Sequence, residues 1–222
     1  MTQYENEVKK RDVMCCMNAG NQGCGRKWSR MRIITDTGTD ILDIEVKKLG
    51  IELVAICSNF TDTVFSENTE AEFTRFYDKL RQTDTLPVSS QPSPAEFLEL
   101  FEDAKEKQEE VVVITISSKL SGTYNGAMLA KDMAEYDNIY VVDSLQASLS
   151  ERLLVEYAVK LRDAGMGAKE LVRKLEQDRE RVILTGVPST LLYLKMGGRI
   201  SPVVAAVGGV IGIKPVLWLK DG

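Results

Sequence analysis

The chain has 222 residues, of which 44% are apolar and 27% are charged, and its formal net charge is -5. This composition is typical of a globular protein with enough chain for one large or two small hydrophobic cores. The acidic balance, without a basic stretch, excludes a surface that neutralises nucleic-acid phosphates. The longest apolar run, residues 203–213, is interrupted by glycines and too short to span a bilayer.

The first thirty residues predict no folded structure. Residues 1–30 are polar, contain glycines and lack hydrophobic periodicity, so we predict a disordered tail. Their three cysteines, Cys15, Cys16 and Cys24, lack the paired spacing of zinc sites, and the chain has no histidine. We therefore expect no bound metal. No apolar run typical of a signal peptide occurs here, so we expect a cytoplasmic protein.

From Met31 onwards, strand and helix patterns alternate along the chain. Continuous apolar runs predict buried strands at residues 32–35, 51–57, 111–116, 139–142 and 182–187. Helices are predicted near residues 40–49, 122–135, 149–164 and 169–179, and two more begin at capping boxes, at residues 69–72 and 93–96. This alternation predicts an α/β protein whose mostly parallel sheet is covered by helices on both faces.

The end of the chain predicts a second, incomplete unit. Residues 214–219 have the composition of a strand, and Asp221-Gly222 is a hairpin turn signal with no return strand after it. We therefore expect the sequence to stop inside a domain. The predicted organisation is a tail over residues 1–30, an N-terminal α/β domain over residues 31–165, and part of a second, smaller α/β domain over residues 166–222.

Two hydroxyl-rich segments are the most informative feature of the sequence. Residues 89–93 are Ser-Ser-Gln-Pro-Ser, residues 116–124 are Ile-Ser-Ser-Lys-Leu-Ser-Gly-Thr-Tyr, and each is predicted to be a loop that leads into a helix. Such loops offer hydroxyls and free N–H groups to an anion. A serine before a helix can also be only a cap, which explains Ser93. Ser89 and Ser121 are therefore the candidates for an anion site.

Catalysis has weaker support than binding. No histidine can activate Ser121, so an acyl- or phosphoryl-transfer enzyme would need Asp36 or Asp143 as its base. The triplet Asp36-Thr37-Gly38 matches the aspartic-protease signature, but it occurs once and that chemistry needs two carboxylates. Glycine-rich nucleotide loops and the hydrolase elbow are absent from the sequence. Arg199, after two glycines, is either an anion partner or a solvated surface residue.

In their order along the chain, these segments resemble the DegV family of fatty-acid-binding proteins. The resemblance runs from about Met31 to the last residue and does not cover residues 1–30. The matching segments include Leu-Pro-Val-Ser-Ser-Gln-Pro-Ser-Pro-Ala-Glu-Phe and Tyr-Leu-Lys-Met-Gly-Gly-Arg-Ile-Ser, and together they occupy residues 34–40, 86–97, 116–124, 142–144, 193–201, 213–215 and 219–222.

The resemblance implies a two-domain protein with a long-chain fatty acid buried between the domains. In the family, a hydroxyl of a Thr-Ser-Gln-Pro-Ser motif and the serine of Leu-Ser-Gly-Thr hold the carboxylate. The corresponding residues here are Ser89, where the family usually has threonine, and Ser121. We expect the N–H of Gly122 or Thr123 to assist, and the resemblance places Arg199 near the head group or on a kinase-facing surface.

The leading hypothesis from the sequence is therefore a fatty-acid carrier that is not itself an enzyme and needs no cofactor. By resemblance, its partner is a fatty acid kinase that converts the bound acid into an acyl phosphate. Two alternatives remain at this stage: an acyl- or phosphoryl-transfer enzyme with Ser121 as its nucleophile, and a regulatory or interaction domain with an empty cleft.

Overall fold

A computed structural model of the chain describes residues 31–83, 85–200 and 215–222. Residues 1–30, for which we predict a disordered tail whose three cysteines bind no metal, lie outside these ranges, and so does the apolar run at residues 203–213. The strands are β1 (Met31–Asp36), β2 (Glu52–Val54), β3 (Cys57–Asn59), β4 (Val64–Phe65), β5 (Val88–Ser90), β6 (Glu110–Thr115), β7 (Ile139–Asp143), β8 (Leu184–Gly186) and β9 (Leu217–Leu219). The helices are α1 (Asp43–Leu49), α2 (Glu70–Gln82), α3 (Pro94–Glu106), α4 (Thr123–Ala134), α5 (Leu149–Asp163), α6 (Ala168–Asp178) and α7 (Leu192–Met196).

The main sheet has four parallel strands in the order β2-β1-β6-β7. Its central strands are rich in β-branched residues, and Val111, Val112, Val113 and Ile114 are completely buried. Continuous apolar strands of this kind are stable only when helices cover both faces of the sheet. The predicted α/β fold with a mostly parallel sheet is confirmed.

Each face of the main sheet carries its own hydrophobic core. Ile33 and Val112 point towards α5 and α6, whose contributions to that core include Leu154, Leu171 and Leu175. Their neighbours Ile34 and Val113 point to the opposite face, where Phe97 and Phe101 of α3 and Ala127 of α4 pack. Leu171 and Leu175 belong to the predicted second domain, residues 166–222, but they are fully buried in the first of these cores. The division into two domains stays a prediction.

A second, antiparallel sheet with the order β4-β3-β5 was not expected from the sequence. The predicted strand at residues 51–57 is wrong as a single strand, since β2 belongs to the main sheet and β3 to the second. The chain changes sheets at Ile56, whose N–H donates to Thr37 Oγ1 over 2.8 Å instead of to a neighbouring strand. The second sheet also contains Ser89, which lies in β5 rather than in a loop.

The apolar run at residues 182–187 has a different role from the one predicted. It contains only the short strand β8, which pairs antiparallel with β9 in a separate two-stranded sheet. Ile183 and Val187 are 65% and 57% exposed, so this segment is not covered on both faces. Leu184 and Val187 contribute instead to the wall of a cavity that is described below.

Local hydrogen bonds explain where two helices begin. Ser93 accepts from Glu96 N–H, the Glu96 carboxylate accepts from Ser93 N–H, and Pro94 occupies the first helical position of α3. Thr69 accepts from Glu72 N–H over 3.1 Å at the start of α2. Both predicted helix starts are confirmed, but only α3 has the full capping box, since the Glu72 carboxylate accepts from Arg75 instead. No helix in the described ranges is long and apolar enough to cross a membrane.

Candidate functional site

A cavity of about 1370 Å³ opens between the second sheet, the carboxyl end of β6 and the two-stranded sheet β8–β9. We call it the large cavity. Its wall is mostly apolar, with Phe76 and Leu80 from α2, Ile116 and Leu120 from the segment after β6, and Leu184 and Trp218 from β8 and β9. Concave apolar cavities of this size with a few polar groups are typical of sites for small organic ligands.

Three of the five residues proposed from the sequence line the large cavity together: Ser89, Ser121 and Arg199. Gly122 and Thr123 are not among the lining residues within the described part of the chain. The cavity also contains Ser58 and Ser148, which sequence reasoning missed. Ser58 lies just beyond the predicted strand at residues 51–57, in a short polar strand that hydrophobic periodicity does not reveal.

Thr123 sets the position of the Ser121 hydroxyl. Thr123 is completely buried at the first position of α4, and its Oγ1 lies 2.9 Å from Ser121 Oγ. The Thr123 N–H also donates to Ser121 Oγ, over 3.4 Å. When Thr123 donates both bonds, Ser121 keeps its own hydroxyl proton for a ligand in the cavity.

The two hydroxyl-rich segments touch each other at Gln91 and Gly122. A Cβ atom on residue 122 would lie 1.9 Å from Gln91 Oε1, so only glycine leaves room for the amide. The amide also lies over Gly126, whose Cβ position is 3.6 Å from Gln91 Nε2. This close approach brings the segment that contains Ser89 against the start of α4.

Arg199 connects the segment after α7 to the same loop. Its Nε donates to the Leu120 carbonyl over 3.1 Å, and its Nη1 donates to the Gly197 carbonyl. The side chain is exposed, and no hydrogen bond to another described residue uses Nη2. The guanidinium therefore brings a positive charge to the rim of the cavity with donors left for an anion.

Asp36 anchors the loop beneath the cavity. Its side chain is completely buried, Oδ1 accepts from Gly38 N–H over 2.9 Å, and Oδ2 accepts from Ile116 N–H over 2.8 Å. Burial raises the pKa of this carboxyl to about 6, against the opposing effect of the two N–H donors. Ile116 lines the cavity, so this hydrogen bond fixes part of its floor.

A second buried carboxyl, that of Glu151 on α5, lies beside Asp36. Neither of its oxygens has a hydrogen-bond partner among the described residues. Burial, followed by the negative charge of Asp36, raises its pKa well above the ordinary range. A Cβ atom on Gly38 would lie 2.7 Å from Asp36 Oδ1 and 3.2 Å from Glu151 Oε2, so this glycine permits the packing of both carboxyls.

Among the described residues, neither candidate base, Asp36 or Asp143, is hydrogen-bonded to the Ser121 hydroxyl. Both oxygens of Asp36 accept backbone N–H groups, and Asp143 Oδ1 accepts from Ser118 and Leu145 N–H over 3.1 Å each. Neither carboxylate is hydrogen-bonded to Ser121 in the described part of the chain. Nor do the described residues contain a group of three acidic or cysteine side chains that could hold a metal ion.

Solved structures of other proteins share this fold. A fatty-acid-binding DegV family protein from Thermus thermophilus has a TM-score of 0.75 and 32% identity, and the match covers 86% of this chain and 68% of that one. A stearic-acid-binding protein from Eubacterium ventriosum has a TM-score of 0.75, 30% identity, and coverage of 86% and 67%. The Fatty Acid Kinase (Fak) B3 protein of Streptococcus pneumoniae, loaded with linoleic acid, has a TM-score of 0.74, 28% identity, and coverage of 86% and 69%.

Sequence comparison gives the same grouping. A DegV domain-containing protein from Caldanaerobacter subterraneus is 33% identical over 193 residues, which are 87% of this chain and 69% of that protein. One from Clostridium perfringens is 33% identical over 195 residues, which are 85% of this chain and 67% of that protein. The model of the DegV family, described as uncharacterised, matches residues 30–222. The chain belongs to the DegV family.

Proposed function

We propose that this protein binds a long-chain fatty acid in the large cavity and carries it without catalysing a reaction. The observation that carries the proposal is the presence of Ser89, Ser121 and Arg199 on the wall of one mostly apolar cavity. The similar proteins from Thermus thermophilus, Eubacterium ventriosum and Streptococcus pneumoniae, which are described as binding fatty acids, support it.

The apolar wall supplies the affinity. Burial of a methylene group is worth roughly 0.8 kcal/mol, so about fourteen methylenes contribute on the order of 11 kcal/mol. Loss of translational and rotational freedom removes at least about 4 kcal/mol. The balance corresponds to a dissociation constant in the micromolar range or below.

The polar groups would hold the carboxylate at one end of the cavity. An unpaired buried charge would cancel much of the gain from the acyl chain, so the carboxylate needs hydrogen bonds. In our proposal Ser89 and Ser121 donate their hydroxyls, and Thr123 holds Ser121 in place. Arg199 at the rim adds a positive charge, which favours an anion over a neutral lipid.

The location of the polar groups suits presentation to a second protein. Ser89 and Arg199 are exposed, so a carboxylate between them would be within reach from solvent. We propose that a cytoplasmic fatty acid kinase acts on this end, since one of the similar structures is a Fatty Acid Kinase (Fak) B3 protein. A carrier of this kind needs no cofactor and no base on Ser121, which agrees with the hydrogen bonds of Asp36 and Asp143.

Ligand extraction and a binding titration test the proposal. The full chain, purified from a bacterial host, is expected to release fatty acids when its organic extract is examined by mass spectrometry. Palmitic acid is expected to bind the protein and to bind the double variant Ser89→Ala/Ser121→Ala at least about tenfold more weakly.

The matched control removes one hydroxyl from each of the same two segments. Ser90 and Ser118 do not line the cavity, so the double variant Ser90→Ala/Ser118→Ala is expected to bind palmitic acid like the unmodified chain. An extract without lipid, together with equal affinities of the two double variants, would refute the proposal.

A further inference from the structure

Ser58 lies directly opposite Ser89 in the second sheet. The antiparallel register pairs Ser58 of β3 with Ser89 of β5, and Cys57 with Ser90. Directly opposite residues point to the same face of a sheet, with Cβ atoms about 4.5–5.5 Å apart. Both Ser58 and Ser89 line the large cavity, so this shared face is the one that the ligand would meet.

On one side of this pair, the next pair, Cys57 and Ser90, points away from the cavity, whereas Val88 on the other side of Ser89 also lines it. Asn59 Nδ2 donates to Ser90 Oγ over 2.9 Å, which places these two side chains together on the opposite face. Neither Cys57 nor Ser90 belongs to the cavity wall. Strand β5 therefore has two neighbouring serines, of which Ser89 lines the cavity and Ser90 does not.

The hydroxyls of Ser58 and Ser89 are free to bind a ligand. Within the described ranges, neither is hydrogen-bonded to another protein group. In contrast, Ser121 Oγ is hydrogen-bonded to Thr123 Oγ1, and the Ser148 hydroxyl donates to Asp40 over 2.6 Å. A hydroxyl forms a stronger hydrogen bond with a charged acceptor than with a neutral one. Two free donors side by side on a mostly apolar wall match the two oxygens of one carboxylate.

We propose that Ser58 and Ser89 each donate a hydrogen bond to a different oxygen of the fatty-acid carboxylate, so that Ser58 determines specificity for the acid. The inference rests on the proposed function, because it assigns a further residue to the same ligand. It makes the head-group site a pair of strand hydroxyls, with Ser121 approaching from the start of α4. A lipid whose head group is neutral would gain less from this pair, because each hydrogen bond would lose its charged acceptor.

The test compares one variant, one control and two lipids. Ser58→Ala is expected to raise the dissociation constant of palmitic acid about tenfold or more, the usual loss for a hydrogen bond to a charged group. Its affinity for 1-hexadecanol is expected to fall by about fivefold or less, the value of a hydrogen bond between neutral groups. Ser90→Ala removes a hydroxyl from the opposite face of the same strand pair, so it is expected to bind both lipids like the unmodified chain.

A second measurement separates ligand contact from a structural effect. Palmitic acid labelled with an NMR-active isotope at its carboxyl carbon reports the pKa of the bound acid. Loss of a donor to the charged form raises that pKa, so the bound carboxyl is expected to titrate at a higher pH in Ser58→Ala than in Ser90→Ala. Thermal unfolding of both variants confirms that they are folded.

The outcomes distinguish this inference from the proposed function. If Ser89→Ala weakens palmitic acid binding and Ser58→Ala leaves both the affinity and the carboxyl pKa unchanged, the role of Ser58 is refuted and the proposed function stands. An equal loss for palmitic acid and 1-hexadecanol in Ser58→Ala also refutes it. If the unmodified chain binds no fatty acid, both proposals are refuted.

Discussion

Gln91 and Gly122 join the two segments that contain Ser89 and Ser121. The amide oxygen of Gln91 lies 1.9 Å from the point that a Cβ atom of residue 122 would occupy. Residue 122 has φ of -79°, which any amino acid adopts, so the glycine is needed for space rather than for backbone freedom. This contact packs the segment that contains Ser89 against the start of α4.

The first prediction concerns the substitution Gly122→Ala. The added methyl group must displace the Gln91 amide, which removes this contact between the two segments and is expected to weaken palmitic acid binding about fivefold. In the Gln91→Ala background the methyl group meets no amide, and the same substitution is expected to cost less than about twofold. Isothermal titration of the four proteins gives the comparison. Equal losses in the two backgrounds would contradict the role of this contact.

The sequence predicted the main sheet but not the sheet that contains the site. Strands such as β1 and β6 are packed on both faces, so their residues are mostly apolar. This pattern identifies them as buried strands in the sequence. Strands β3 and β5 have three residues each and are polar, so periodicity gives no signal for them. The pairing of Ser58 with Ser89 is a contact between residues distant in the chain, which a single sequence does not encode locally.

The large cavity explains another difference between pattern and structure. Apolar residues such as Val187 and Trp218 look like core residues in the sequence, but they are exposed and line a ligand cavity. A pattern of apolar residues indicates that these residues are covered, but not whether protein or a ligand covers them. The sequence does indicate Ser121, through the hydroxyl-rich segment between a buried strand and a helix, and Arg199, through the two glycines before it.

The second prediction concerns the hydroxyl of Thr123. Thr123→Val keeps the shape of the side chain but removes a hydrogen bond to Ser121, so the Ser121 hydroxyl loses its fixed position. We expect palmitic acid binding to weaken about fivefold, the value of a neutral hydrogen bond of about 1 kcal/mol. Thr123→Ser retains the hydroxyl and is expected to lose less than about twofold in affinity. If Thr123→Val binds palmitic acid as tightly as Thr123→Ser does, the positioning role is refuted.

The third prediction concerns Gly38, which packs against two buried carboxyls. The methyl group of Gly38→Ala would meet Asp36 Oδ1 at 2.7 Å and Glu151 Oε2 at 3.2 Å, and neither side chain can move into solvent. We expect the free energy of unfolding to fall by about 1–3 kcal/mol, as for other overpacked cores. Gly186→Ala, whose Cβ position has no atom within 4 Å, is the matched control and is expected to change stability by less than about 0.5 kcal/mol. Urea denaturation measures both, and equal stabilities of the two variants would contradict the packing argument.

The last prediction concerns the effect of pH on stability. Burial raises the pKa of Asp36 to about 6, from about 3.9 in an unfolded chain, and raises the pKa of Glu151 well above its ordinary range. The folded protein therefore holds protons on these carboxyls at pH values where the unfolded chain has released them. Stability contributed by a proton held in this way falls as pH rises, from about pH 4 to pH 6 for Asp36 and to higher pH for Glu151.

The variant Glu151→Gln makes this dependence measurable. Burial raises the pKa of Glu151 most, and the negative charges of Asp36, Asp40 and Asp143 around it add to the effect. A neutral glutamine has no proton to lose, so the melting temperature of Glu151→Gln relative to the unmodified chain is expected to rise by about 3–5 °C between pH 5 and pH 8. The test uses only the change of this melting-temperature difference with pH, because a buried amide at this position lowers stability by itself at every pH. Glu99→Gln makes the same chemical change at an exposed site on α3 and is expected to show no such trend. A melting-temperature difference for Glu151→Gln that stays constant with pH would mean that Glu151 is not the buried, proton-holding carboxyl that the structure describes.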